Sequence, residues 1–485
     1  MSKKFLAVIA LAVASLFVFT ACGGDNYNFN ALSNNPAASA PVYSNGGSFV
    51  RKGEYSYFIN GAEDGADKNV FGDYHKGSIV RVKTSDLVNK DRVVETVVPK
   101  IVYAEEANSS GFYIYGDKIY YTTPHSGKDT QGNVLITKLD FMMANINGTG
   151  TEIIATVEDN TQPFRFVEKN GKVYILYVGS AEVEMNDQKV KTTGIYEIDC
   201  ASKQEKLVAA NVETVVFDRY ANSTSVAFTQ KVVTSEGITG TQVTETEGNN
   251  LCQYTAGGSV VEIKKGVDVA NLRYTKYTPV ALANDVVYFN SVSKGLVTGS
   301  SFNKAVGTTV TKLANSTYSN VMVDGADQNV VYTQANNYIV KHTFAADGSV
   351  SEVKLGKQAD DIEFEYIHDG YVYYSLVEGY VLNRVSATEE LAGSEKVIDG
   401  QMKSTIWSSY DFAEIDGKLY AFYFNDMEGI EFINYLYASI IEGKGDIDIL
   451  DYETKRIGLL GESEQKYAIE EGDDMYAVEE FTAAK

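Results

Sequence analysis

One tryptophan, three cysteines and four histidines in 485 residues leave little of the material from which common sites are built. Cys22, Cys200 and Cys252 cannot make a disulfide scaffold or a thiolate zinc site. Neither Cys-x-x-Cys, nor His-Glu-x-x-His, nor a Gly-x-Ser-x-Gly elbow occurs. Positive charge is scarce as well. The 42 Lys and Arg face 65 Asp and Glu, a formal charge of −23, which argues against a nucleic-acid partner because phosphate backbones require a basic face. Beyond the first 22 residues no apolar run approaches the length of a membrane span. What is present is a chain with 44% apolar residues, 41 glycines and 34 tyrosines, enough to bury a large core.

The N-terminus is organised differently from the rest. Met1-Ser2-Lys3-Lys4 is a short basic stretch, and Phe5 to Ala21 is apolar except for Ser15 and Thr20. That length suits the core of a signal peptide. It ends in Phe19-Thr20-Ala21-Cys22, which resembles the lipobox of bacterial lipoproteins, with Phe where Leu is usual. The resemblance implies that residues 1–21 are removed and that Cys22 is lipidated, so that more than one acyl chain holds the protein on a membrane, outside the cytoplasm. Residues 22–48, rich in Asn, Ala, Ser, Gly and Pro without apolar period, read as a flexible tether.

From residue 49 a unit recurs. An apolar pair leads into a Gly, Asp or Asn turn and then into a strand dense in Val, Ile and Tyr. Tyr55-Ser56-Tyr57-Phe58-Ile59, Lys118-Ile119-Tyr120-Tyr121, Lys172-Val173-Tyr174-Ile175 and Val286-Val287-Tyr288-Phe289 are copies of that strand. So are Val330-Val331-Tyr332, Tyr371-Val372-Tyr373-Tyr374 and Lys418-Leu419-Tyr420, with a degenerate copy at Ser225-Val226-Ala227-Phe228. A further strand follows each, such as Ile79-Val80-Arg81-Val82 or Ile195-Tyr196-Glu197-Ile198, and then a turn and a closing strand such as Glu352-Val353-Lys354-Leu355. Four antiparallel strands at a repeat of roughly 40–60 residues predict propeller blades, since one such sheet cannot bury both its apolar faces alone. The expectation is an all-β β-propeller over 49–462 with eight four-stranded blades. Seven is the alternative if the copy at 215–230 is decoration. Residues 463–485 read as an acidic tail.

The Asp-Gly-Lys-Leu-Tyr strand at 416–420, the Leu-Asn-Arg-Val strand at 382–385 and the Asp-Gly turns resemble bacterial lipoprotein propellers of a domain-of-unknown-function family, themselves similar to the propellers of low-density-lipoprotein receptors. The resemblance implies the fold and a lipid-anchored location. It carries no binding residues, because the Tyr-Trp-Thr-Asp tetrad of the receptors is missing.

Chemistry-bearing residues do not converge. His75, His125, His342 and His368 fall in different repeats and read as loop or turn histidines. Cys200 and Cys252 lie in successive repeats. A disulfide between them is open geometrically, and two buried free thiols is the simpler reading. Asp446 with Asp448, and Glu363 with Glu365, would each share a strand face, as acid–base pairs do, but in so acidic a chain a solvated face explains them. Gly148-Thr149-Gly150 reads as a hairpin turn. The Asp-Gly-Ala-Asp segments at Asp64–Asn69 and Asp324–Asn329 have oxygen ligands but lack the alternation of a calcium loop, so no metal site is assigned. Single Trp407 argues against quinone-cofactor propellers and is the one candidate recognition aromatic, a core role being the simpler reading. No catalytic residue and no cofactor are assigned.

These features favour a non-catalytic lipoprotein that presents a propeller to a protein, peptide or glycan partner outside the cytoplasm. The binding surface would be the loop-rich face over the axis or the long loop 231–249. The alternative is an extracellular glycan hydrolase or lyase with its site at the axis.

Overall fold

The computed structural model describes residues 31–59, 78–86, 93–99, 102, 111–128, 134–158, 163–185, 188–218, 223–235, 243–268, 273–295, 298–376, 382–398, 411–415, 418–426, 434–441, 457–458, 470–472 and 475–477. Seven successive antiparallel sheets run from 42 to 398, each of four strands, the first and fifth with a short additional strand. An eighth, again of four strands, runs from 411 to 458. Within every sheet, neighbours in space are neighbours in sequence. Each sheet is therefore a local meander, and among the described residues no strand is exchanged between the first sheet and the last. A short hairpin, Glu470–Gly472 with Met475–Ala477, follows. Among the described residues no helix is long and apolar enough to cross a membrane.

The sheets close into a propeller. Apolar clusters lie between consecutive sheets: Phe141, Phe164 and Phe166 between second and third, Val226 and Tyr254 with Leu176 and Ile195 between third and fourth. The largest cluster joins Phe58 and Val80 of the first sheet to Phe112 of the second, Tyr373 of the seventh and Phe412 of the eighth. Phe412 stacks on Tyr366 at 4.8 Å, so the eighth sheet packs on the seventh. Ser44 donates to Phe412 O at 2.9 Å, which brings the eighth to the first. The tyrosines of the repeat supply much of this packing: Tyr57, Tyr121, Tyr288, Tyr332 and Tyr374, all on second strands, are fully buried. The copy at 215–230, degenerate in sequence, belongs to a complete four-stranded sheet, 212–264.

Burial gives the radial order. First strands such as Phe164–Lys169 are largely buried, whereas last strands such as Gln204–Ala209 and Ser394–Ile398 are mostly exposed. The first strand is thus the innermost and the fourth is on the rim. Polar ties link the third through seventh sheets, each to the next. Lys206 Nζ donates to the Tyr254 hydroxyl at 2.7 Å, Gln253 Nε2 to Asp285 O at 2.9 Å, Lys304 Nζ to Asn329 Oδ1 at 2.7 Å and Lys341 Nζ to Ala387 O at 3.2 Å. The first and seventh sheets repeat one buried constellation. Arg81 lies 4.2 Å from the Tyr55 ring and bonds Glu95 at 2.5 Å; Arg384 lies 3.9 Å from the Tyr371 ring and bonds Glu395 at 2.9 Å.

The stretch 22–48, expected as a flexible tether, is packed over its described part. Leu32 is 4% exposed and shares the large cluster with Val94 and Val98, and Leu32 N donates to Asn147 O. Arg81 Nη2 and Nη1 reach Ser33 O and Asn35 Oδ1. Buried Lys52 donates to Ala38 O and Ala40 O. Burial pulls its ammonium pKa down, with Asp117 opposing. Composition misses this seat because backbone carbonyls and one Asn do the binding, and neither leaves an apolar period.

Candidate functional site

A meander puts its turns alternately at its two ends. One face of the disc therefore carries the first-to-second and third-to-fourth turns, and the other the second-to-third hairpins and the crossovers between sheets. The two faces differ. The turn face is tight: Asn170-Gly171, Asn284-Asp285 and Asp369-Gly370 sit at positive φ. Gly148-Thr149-Gly150 is a hairpin turn as the sequence suggests, closed by Asn145 N to Thr149 O at 2.8 Å.

On the opposite face four of the described sheets project ribbons. In the second, third, fourth and eighth sheets the middle two strands continue past both neighbours. Residues 126–128 pair with 134–136, 179–185 with 188–194, 231–235 with 243–249, and 424–426 with 434–436. At ~3.3 Å per residue the third-sheet ribbon stands about 20 Å proud. The segment 231–249, expected as a loop, is therefore paired strand at both ends; Thr, Ser, Glu and Gln there alternate without an apolar face, so its sequence reads as loop. The sixth sheet turns tightly at the same level through Asn336 and Asn337, both at positive φ. The ribbons thus form a crown of unequal height, tallest on the third sheet. Lys189 and Lys191 are exposed on it, and Val190 is 41% exposed between them.

At the foot of the second-sheet ribbon His125 Nδ1 lies 3.0 Å from Asp140 Oδ2. Asp140, 6% exposed, also accepts from Thr156 Oγ1 at 2.5 Å. The carboxylate orients an imidazole whose side chain is 43% exposed. In the third sheet Tyr177 and Tyr196 stack at 5.1 Å, and the Tyr177 hydroxyl donates to Glu205; burial first, and then Glu205, push that phenol's pKa upward.

Part of the axial side is covered by the chain itself. Val42–Tyr43 pairs with the innermost strand of the first sheet, Val42 against Lys52 and Tyr43 against Arg51, and so lies on its axial side. Ser44 reaches the innermost strand of the eighth sheet. Asn45 Nδ2 donates to Ile114 O at 2.9 Å and Asn45 Oδ1 accepts from Ile114 N at 2.8 Å, in the innermost strand of the second. Gly111 N and Phe112 N then donate to Gly46 O and Gly47 O. Residues 42–48 thus run from the turn face to the ribbon face among three inner strands. A Cβ on Gly111 would stand 2.1 Å from Gly47 O, so this approach requires glycine.

The other candidate residues are dispersed. Cys22, His75, Asp64–Asn69, Trp407, Asp446 and Asp448 lie outside the described residues. Glu363 and Glu365 do not form a solvated face. Glu365 occupies a bulge in the inner strand of the seventh sheet, is 3% exposed and accepts from Ser375 Oγ at 2.6 Å. The bulge rotates the strand by one residue, which alternation cannot reveal. Nor is His342 a loop histidine: it is 2% exposed in a third strand, its Nε2 2.8 Å from Thr333 Oγ1. Asp324 and Asp327 accept from Ala326 N and Asn329 N, each two residues on, and shape a turn. Cys200 and Cys252 are buried free thiols in different intersheet clusters; burial, ahead of Glu262, pushes the Cys252 thiol up to about 12. Among the described residues no three His, Cys, Asp or Glu gather as metal ligands.

No family profile and no curated protein matches this chain. Solved structures do. The β-propeller domain of the Trilobed protease from Pyrococcus furiosus matches with 12% identity and a TM-score of 0.36, covering 74% of this chain and 97% of that one. AztD from Citrobacter koseri matches with 10% identity and a TM-score of 0.31, covering 70% and 98%. For TolB from Acinetobacter baumannii the identity is 12% and the TM-score 0.24, and the match spans 62% of this chain and 64% of TolB. The propeller assignment rests on the eight sheets themselves.

Proposed function

We propose that this protein is a lipid-anchored propeller of the bacterial envelope, outside the cytoplasm, that binds a protein partner through its ribbon-bearing face and performs no catalysis. The observation that carries the reading is the crown of ribbons. The middle strands of the second, third, fourth and eighth sheets extend past both of their neighbours, while the sixth sheet turns back at once. Surface built beyond the needs of folding is surface available for recognition. The lipobox-like Phe19-Thr20-Ala21-Cys22 and the resemblance to lipoprotein propellers support the location. A formal charge of −25 after loss of residues 1–21, with 40 Lys and Arg against 65 Asp and Glu, favours a neutral or basic partner.

The glycan hydrolase or lyase alternative needs an accessible axis, and residues 42–48 occupy the axial side of three inner strands. That weighs against it.

Crosslinking in the native cell, followed by capture through a C-terminal tag, tests the proposal. A protein recovered in stoichiometric amount with the natural chain, and lost when residues 180–193 are replaced by an Asn-Gly turn, is the expected result. Recovery of glycan alone, of nothing, or of the same protein with and without the ribbon overturns it.

A further inference from the structure

We infer that the seat of residues 32–48 decides which way the disc faces: the turn face toward the lipid, the ribbons away from it. This rests on the lipid-anchor reading above and adds an orientation to it. The chain reaches the body at the turn face. Leu32 N donates to Asn147 O, in the third-to-fourth turn of the second sheet, and Gly53 N, in the first turn of the first sheet, donates to Pro41 O. Arg81, fully buried, holds Ser33 O and Asn35 Oδ1, so the seat is made by a buried charge and is not a loose surface contact.

Length then decides the orientation. Cys22 precedes Leu32 by ten residues, which span at most about 36 Å when fully extended. The body is about 20 Å tall along an inner strand such as Phe164–Lys169, and the third-sheet ribbon adds about 20 Å. To bring the ribbons to the lipid, the connection would have to climb about 40 Å past the rim, more than it has. With the turn face toward the lipid it needs only the gap between them. The surface left for a partner is the crown.

The test uses the chain from Cys22 to Lys485, coupled through the Cys22 thiol to maleimide lipid in phosphatidylcholine vesicles whose headgroups carry an acceptor dye. Buried Cys200 and Cys252 are not accessible to the coupling. A donor dye is placed on a clickable residue at Ser202, an exposed turn position, or at Lys191, an exposed ribbon position of the same sheet. Energy transfer severalfold stronger from position 202 than from 191 is expected, with the difference abolished by inserting twenty Gly/Ser residues ahead of Leu32. Equal transfer from both positions without the insertion, or stronger transfer from 191, overturns the inference. Metabolic labelling with a fatty acid in the native cell, with Cys22→Ser as the comparison, reads the anchor separately. Absence of label sinks the anchor reading while leaving the vesicle result to judge the seat.

Discussion

His342 shows how far one residue's surroundings depart from what its neighbours in sequence suggest. Its imidazole sits in the sixth sheet with Thr333 Oγ1 at 2.8 Å, Glu352 Oε1 at 3.2 Å and the rings of Tyr318 and Phe344 at 4.6 and 6.3 Å. Burial favours the neutral ring and draws its pKa below the ordinary 6.5, with Glu352 pulling the other way. Unfolding restores the ordinary value, so below about pH 6.5 the unfolded chain binds the proton first. The stability present above that pH is lost as the pH falls toward the folded pKa. Urea midpoints measured from pH 7 to pH 5 should therefore fall less steeply in His342→Gln than in the natural chain. Arg81 is fully buried against Glu95, Asn35, Ser33 O and the Tyr55 ring, and Arg81→Ala should cost about 3–5 kcal/mol by leaving Glu95 without its cation; urea unfolding reads it. The two buried thiols give a third check. The chain from Gly23 onward should show no titratable thiol with Ellman's reagent at pH 8 and two in 6 M guanidinium chloride. Of these environments only the two buried free thiols were the favoured reading of the sequence; His342 was one of four scattered histidines read as loop or turn, and the burial of Arg81 left no signal. Burial at a given strand position depends on which sheet packs on which, and that is settled far along the chain.

The individual strands were legible. Tyr55–Ile59 coincides with the sequence reading, and Lys118–Lys128, Lys172–Met185 and Val286–Gly295 begin where their copies begin. Period-two alternation of large apolar side chains marks a strand only while one side is buried. Past Tyr177 the partner strand ends, and Gly179-Ser180-Ala181-Glu182 continues as strand with one side still buried but without large apolar side chains to mark it. The ribbons were invisible for this reason. The opposite failure struck residues 32–48, which bind by main chain and were read as tether. Asn45 is the test of that element. Its side chain replaces a neighbouring strand by satisfying both backbone groups of Ile114, so Asn45→Ala should cost about 1–3 kcal/mol in urea unfolding. Gly111→Ala should exceed it, because Gly47 O must move aside.

The molecule as a whole is a ring of local meanders with a seam. Seven of its junctions join sheets consecutive in sequence, whereas the eighth joins 411–458 to the first sheet without a shared strand. The hydrogen bond from Ser44 to Phe412 spans 368 residues. Closing so long a loop carries an entropic cost that each sheet, built from short hairpins, does not meet. The order of assembly follows. Sheets form as their hairpins are completed and stack pairwise along the chain. The seam waits until residue 412 and its sheet exist, and residues 42–48 lock last, since their partners lie in the second and eighth sheets at once. During synthesis the molecule therefore passes through an open arc with two apolar edges, and the interval before the ends meet is when it is most exposed to aggregation.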